Sequence, residues 1–240
     1  MHIGILGPGR LGRSLAALLE PHGHRVCLTR HAADIPSEVE GVLLTVPDSA
    51  IAAVVDDWSG PLPVLHCSGA LTVDVLRPLT PAGSFHPLMT FPGVDVAIPD
   101  PTTIPVAIDG DEEAVAFGRR IAESLGMRII TVPGDRRLYH AAAVLAGNFG
   151  TVLLAHAVRA LVEAGVPEAS AGNILLPLAL QSLTNAASDP AGSLTGPVAR
   201  GDDATIAAHI AALDASGLNS TVELYQQLTE ATRQLHTGKL

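Results

Sequence analysis

Hydrophobic positions in the first half of the chain fall in short unbroken runs, and the stretches between them follow a helical period. The runs at 2–7, 25–30, 41–46 and 63–66 are rich in Ile, Val and Leu, others stand at 104–108 and 128–132, and the more polar segment Gly83-Ser84-Phe85-His86-Pro87 lies between them. Between them the spacing predicts helices from Ser14 onward, over 50–57, near 73–79 and over 112–125. Unbroken runs alternating with helices predict a parallel-rich sheet buried on both faces, because a strand wetted on one face would alternate apolar with polar. After Pro133-Gly134 no convincing strand follows. Ala- and Leu-rich helices are predicted over 136–164, 168–187, 202–215 and 219–236, punctuated by Gly165-Val166-Pro167, Asp189-Pro190 and Gly196-Pro197. The pattern predicts an α/β domain over 1–134 followed by an all-α domain over 135–240.

The first run ends in Gly7-Pro8-Gly9-Arg10-Leu11-Gly12, and a helix opens at once with Ser14-Leu15-Ala16-Ala17. Gly7 allows the tight turn, Gly9 lets the backbone approach a pyrophosphate, and Gly12 lets helix lie close on strand. Phosphates then meet free N–H groups at the positive end of the helix dipole. Strand, glycine turn and helix in that order make the first domain Rossmann-type. An NAD-binding chain of this kind ends its second strand with an acid that holds the ribose 2′-hydroxyl. Here Thr29, Arg30 and His31 stand instead, groups that suit a 2′-phosphate, so the cofactor predicted is NADP(H). Val46-Pro47-Asp48 and Cys67, at the next two strand ends, are expected to extend the cofactor surface, and Asp48 or Ser49 to cap the helix that follows.

Charge sharpens this picture. The 240 residues carry a net −10, yet residues 1–31 hold Arg10, Arg13, Arg25 and Arg30 against Glu20 alone, a formal +3. A basic enclave in an acidic chain suits a small anionic ligand and argues against nucleic acid, which needs a wider basic face. Two cysteines, Cys27 and Cys67, are too few for a disulfide framework and are read as reduced thiols of a cytoplasmic protein, with no charged leader ahead of them. The apolar stretch 141–162 contains Asn148, His156 and Arg159, so it is read as a buried helix and no membrane partner is expected. With 48% apolar residues, part of that surface is expected in a homodimer interface of the C-terminal helices. Lysine occurs once, at Lys239, which removes lysine-based catalysis; no metal-ligand spacing and no Gly-x-Ser-x-Gly elbow appear.

Three segments bring polar groups to strand ends or their vicinity, where a doubly wound sheet places its ligands. They are His66-Cys67-Ser68-Gly69-Ala70, Ser84-Phe85-His86-Pro87-Leu88, and Tyr139-His140 with Asn148. His86 is the candidate proton donor for hydride transfer to C=O or C=N, with Ser68 opposite it on the same oxygen or nitrogen. His66 is expected to point into the fold. His140 and Asn148, eight residues apart on one helix, lie about 12 Å apart along its axis and cannot both touch one reacting atom. Asn148, between Gly147 and Gly150, is taken as a third catalytic-site residue, His140 as a substrate contact. Further on, Arg200 in Leu194–Asp202 is a candidate partner for a substrate carboxylate, and Asp202 or Asp203 an N-cap.

The glycine turn, Val46-Pro47-Asp48, His66–Ala70, Gly83–Leu88, Tyr139-His140-Ala141-Ala142 and Leu194–Asp202 together resemble the Rossmann-like proteins with a DUF2520 C-terminal domain. That group sits with the pyrroline-5-carboxylate reductase and 6-phosphogluconate dehydrogenase-like enzymes. The resemblance implies an NADP-binding first domain and a helical second domain that builds a dimer. Ser84–Leu88 looks like the His-Pro motif of prephenate dehydrogenases, which implies that His86 contacts the substrate and works with Ser68. Leu145-Ala146-Gly147-Asn148 is similar to the imine-site segment of pyrroline-5-carboxylate reductases, with Asn148 in place of a small hydroxyl residue. Val144 stands where the β-hydroxyacid dehydrogenases carry lysine. The expectation is an NADP(H)-dependent oxidoreductase acting on a small, carboxylated carbonyl or imine. The alternatives are a non-catalytic dinucleotide-binding regulatory or partner-binding dimer and a prephenate-like dehydrogenase.

Overall fold

The computed structural model describes residues 1–58, 60–92 and 96–239; part of the proline-rich loop expected over 92–101 lies outside them. Seven strands form one sheet: β1 (His2–Leu6), β2 (Arg25–Thr29), β3 (Gly41–Leu44), β4 (Val64–His66), β5 (Ala82–Pro87), β6 (Pro105–Gly110) and β7 (Arg128–Ile130). Their order is β2-β1-β3-β4-β5-β6-β7, and the first five run parallel. β6 turns back antiparallel to β5, with His86 opposite Ala107, and β7 runs parallel to β6. The sheet is therefore parallel-rich, not parallel throughout. A parallel partner for β5 would need a crossover, usually a helix, whereas the described residues between β5 and β6 hold only the 3₁₀ turn Pro101–Thr103.

Alternate residues of the central strands feed two cores, as a sheet covered on both faces requires. Ile3, Ile5, Leu43, Leu65 and Phe85 pack with Leu15 and Leu19 of α1 (Arg10–Leu19) and with Phe117 and Ile121 of α3 (Glu112–Ser124). Leu6, Val42, Leu44, Val64 and Ala82 face the other way, onto Ile51 and Val55 of α2 (Ile51–Asp57) and onto Val73 and Leu76. Each fully buried side chain of this size contributes about 1.5–3 kcal/mol. The helix expected near 73–79 is the 3₁₀ segment Val73–Leu76.

The chain divides into two compact units, Met1–Ala146 and Gly147–Leu240. α4 (Arg136–Val144) stays with the sheet unit, a π-helical segment (Leu145–Phe149) follows, and α5 (Gly150–Glu163) completes a continuous helix of 28 residues. In the second unit α5 lies against α6 (Glu168–Ala186), and α7 (Asp203–Ala215) against α8 (Asn219–His236). Asp202 caps α7, accepting from the Thr205 amide at 3.0 Å. The helix Arg136–Glu163 is long and apolar enough to cross a membrane by length and composition, and none of its apolar window is buried in the chain. The expected burial of 141–162 is thus not met. Phe149 at the end of the π-helical segment and Val152 and Leu153 on α5 stand exposed, as do Ile174, Leu178 and Leu183 on α6.

Candidate active site

The glycine turn has the shape its residues imply. Gly7 takes φ +115°, which only glycine adopts freely, and its N–H donates to the Thr29 carbonyl at 2.9 Å, tying the turn to β2. A Cβ on Gly12 would overlap the Gly7 carbonyl oxygen, so helix and strand meet here at backbone distance. Gly9 is different: a Cβ there would meet nothing within 4 Å. It lies at the start of α1, whose first turn has no acid and no side-chain cap, so the amides are left for an outside acceptor. These features fit a dinucleotide pyrophosphate. Pro8, Arg10 and Leu11 complete the turn, with Arg10 exposed and Leu11 packed on the core.

A cavity of about 810 Å³ lies beyond the end of β2, lined by Arg30, His31, Val46, Ala50 and Trp58 among others. Thr29 does not line it. Its buried hydroxyl donates to Asp34 Oδ2 at 3.2 Å and accepts the His31 amide at 3.2 Å, so it builds the turn that presents Arg30 and His31. Asp48 also departs from expectation. Neither it nor Ser49 caps α2; the Asp48 carboxylate accepts from Ser68 Oγ at 2.7 Å. The same Ser68 oxygen accepts the amides of Ala70 and Leu71, at 3.2 and 3.1 Å, which fixes the loop after β4. Pro47 is exposed beside Asp48, whereas the Cys67 side chain, expected on the cofactor surface, packs in the main core, where burial pushes its thiol up.

His66 points into the fold. It is fully buried, its Nε2 lies 3.2 Å from the Thr72 carbonyl, and its Nδ1 accepts the Ser68 amide at 3.2 Å. Both partners fix the Nε2–H tautomer, and burial, aided by the Arg136 charge, lowers its pKa to about 4. Next to it on β5, Ser84 is fully buried with an unpartnered hydroxyl. Two residues on, His86 shares that face of the strand. Its Nδ1 lies 2.7 Å from the Tyr139 hydroxyl, with the rings edge-on at 5.4 Å. Its Nε2 faces Gly69, where a Cβ would come within 2.8 Å of it and within 2.7 Å of His140 Cδ2. Burial first, then the charge of Arg136, bring the His86 pKa down to about 4, so the ring is neutral at pH 7. His140 closes the group, its ring 6.4 Å from that of His86.

The structure thus gathers Asp48, Ser68, His86 and His140 within the sheet unit. It adds three residues whose roles the sequence does not signal. Gly69 makes room for the two imidazoles, Tyr139 holds His86, and Arg136 is buried with its Nη2 on the Ser68 carbonyl at 3.1 Å. Only the Tyr139-His140 pair on a helix start hinted at them. Asn148, in the π-helical segment, and Arg200 belong to the second unit, where both side chains are exposed without hydrogen-bond partners among the described residues. Among the described residues no His, Cys, Asp and Glu group could hold a metal ion.

A seven-stranded, glycine-turned sheet with these groups at its strand ends, followed by a helical unit, defines a Rossmann-type α/β protein. More narrowly, the chain belongs to the family of the DUF2520 domain, a domain of unknown function, whose model matches residues 104–232. No curated protein matches the chain. Among solved structures, a Bacteroides fragilis protein assigned provisionally as an NADP oxidoreductase superposes with a TM-score of 0.83 at 23% identity, covering 97% of this chain and 98% of that one. The 1-pyrroline-5-carboxylate reductase of Streptococcus pyogenes gives 0.66 at 17%, over 98% of both chains. A reductive aminase from Aspergillus terreus, in complex with NADPH and ethyl-5-oxohexanoate, gives 0.67 at 15%, over 99% of this chain and 94% of that one. These likenesses establish a shared fold.

Proposed function

We propose that the chain is an NADP(H)-dependent oxidoreductase of the cytoplasm that transfers hydride to or from a small, carboxylated carbonyl or imine. One observation carries this reading: the edge-held imidazole of His86, with Nε2 turned to Gly69, stands at the same end of the sheet as a glycine turn whose Gly9 faces open space. The fold shared with an NADPH-bound reductive aminase and a pyrroline-5-carboxylate reductase supports it. The turn Gly7–Gly12 and the N-terminus of α1 hold the pyrophosphate, and Arg30 and His31 hold the 2′-phosphate. The nicotinamide supplies or accepts the hydride when bound. His86 exchanges the proton. In the reducing direction its Nε2 gives a proton to the acceptor's oxygen or nitrogen while the Tyr139 hydroxyl returns one at Nδ1; solvent then protonates Nε2 and Nδ1 hands its proton back to the Tyr139 phenolate, which restores both groups. Ser68, held by Asp48, fixes the loop that presents Gly69 to the substrate.

The cofactor assignment is tested by titrating NADPH and NADH. The wild type is expected to prefer NADPH, and Arg30→Ala to narrow the gap by about tenfold or more, the worth of one charge-assisted hydrogen bond. Equal affinities before mutation would overturn the NADP assignment. Substrates are sought by NADPH oxidation over 2-oxo acids and cyclic imines, and by NADP⁺ reduction with prephenate. Turnover with none of them, in a protein that binds NADPH, would favour the non-catalytic alternative.

The exposed apolar faces of α5 and α6 are assigned to a second copy of the chain. Light scattering on the eluted protein is expected to give twice the 24.7 kDa chain mass. Leu178→Glu is expected to shift it toward the monomer. A wild-type monomer at tens of micromolar would remove the dimer.

A further inference from the structure

We propose that Arg136 is an anion-binding residue whose guanidinium takes a carboxylate beside His86, and that this carboxylate is the acid group of the substrate. The second half of that statement rests on the oxidoreductase reading; the first half stands on the site itself. Two arginines open α4, and they differ completely. Arg137 is exposed and paired with Asp135 at 2.7 Å. Arg136 is only 6% exposed and pairs with no carboxylate among the described residues, whereas Arg77, Arg120 and Arg233 each have an acid within 4 Å.

Its partners leave the guanidinium unsatisfied. Nη2 donates to the Ser68 carbonyl at 3.1 Å, but Nε is buried without any partner, and no hydrogen bond from Nη1 is found among the described residues. The Tyr139 ring, 5.8 Å from Cζ, offers a cation–π contact and no acceptor for these N–H groups. Asp109 acts on the charge from beyond ion-pair distance. A cation in the first helical turn also faces the positive end of the helix dipole, which favours an anion there. A buried charge without a counter-charge is costly, and burial does hold the Arg136 pKa below its usual value.

The fork of Arg136 matches a carboxylate, which accepts two parallel N–H bonds. The chemistry around it is that of a single monoanion: one guanidinium, the phenol of Tyr139 and the neutral imidazoles of His86 and His66. Its charge depresses both of those histidines, so it lies within electrostatic reach of the proton-exchanging ring. A carboxylate seated there would hold the substrate's other end at His86 Nε2. Arg200, exposed on its own unit, lacks there the low-dielectric setting that makes such a pair strong.

The test uses the full chain without cofactor, and acetate as the probe against chloride at matched ionic strength. Acetate is expected to raise the melting temperature of the wild type and to shift the side-chain Nε–H resonance of Arg136, assigned by its loss in Arg136→Lys. Arg136→Met should weaken acetate binding at least tenfold, and Arg200→Gln should leave it unchanged. Should Arg136→Met fail to fold, Arg136→Lys, which keeps the charge but not the fork, should show a weakened response. No acetate-specific response in the wild type, or a full response in the Arg136 variants, overturns the proposal. A protein that binds acetate at Arg136 yet turns over no substrate would break the oxidoreductase reading alone; one that oxidises NADPH without an acetate response would break this one alone.

Discussion

His86→Ala is expected to lower turnover by about 10²- to 10⁴-fold, the usual worth of a positioned proton donor, while leaving the affinity for NADPH unchanged. The two effects separate because the ring touches none of the phosphate-binding elements: its contacts are Tyr139, Gly69 and His140. The loss should be large because two of the neighbouring polar groups are already engaged. His66 has both ring nitrogens engaged, and Ser68 is committed to Asp48. A histidine with a pKa of about 4 is not a reservoir of imidazolium at neutral pH. It works as a neutral donor through Nε2, resupplied at Nδ1 by the phenol, so Tyr139→Phe should produce a smaller drop in the same direction. Steady-state kinetics on a substrate found by the imine and oxo-acid screen, beside calorimetry with NADPH, measure both quantities. Unchanged turnover in His86→Ala would take the ring out of the reaction.

Gly9 and Gly12, the second and third glycines of the turn, should behave in opposite ways. Gly12→Ala is expected to destabilise the chain by about 1–3 kcal/mol, because the new methyl meets a carbonyl oxygen of the turn and Thr45 Oγ1 at 2.6 Å, and Thr45 itself holds the turn by donating to the Gly7 carbonyl at 2.6 Å. At about 2–4 °C per kcal/mol this is a fall of several degrees in Tm, accompanied by at least a tenfold loss of NADPH affinity as the turn is pushed apart. Gly9→Ala should leave Tm within a degree or so, since its methyl enters open space and its φ of −74° suits any residue. Its affinity for NADPH should still fall, for the methyl occupies the room a pyrophosphate needs. Melting curves and NADPH titrations of the pair decide the matter. Intact binding in Gly9→Ala would mean that the phosphates lie elsewhere.

Local rules account for what the sequence disclosed. Unbroken runs rich in Val, Leu and Ile located six of the seven strands, because a strand covered on both faces has few polar positions to interrupt it, whereas β5 (AGSFHP) stood out only by its Ser-Phe-His-Pro segment. Gly7, Gly9 and Gly12 announced their turn because a positive φ and backbone contact leave glycine little competition. The direction of β6 was hidden, since a buried strand reads alike in both senses and only the connection before it decides. Asp48 resembled a helix cap because its spacing to α2 suits one; its bond to Ser68, twenty residues away, is a tertiary contact without a local signature. Arg136 and Arg137 adjoin in sequence and diverge only when α4 rotates one inward. The segment 141–162 was apolar enough to suggest a core, but composition records the need for cover, not its source. The π turn around Asn148 likewise interrupts the regular helical count from His140.

The family match begins at Ile104, and that point lies inside the sheet. β6 hydrogen-bonds to β5, and Phe117 and Ile121 of α3 fill the core beneath β1, β3 and β4. The matched segment therefore does not close a core of its own. Cut there, the chain would bare a strand edge and apolar core on both fragments, so residues 104–232 by themselves are not expected to fold.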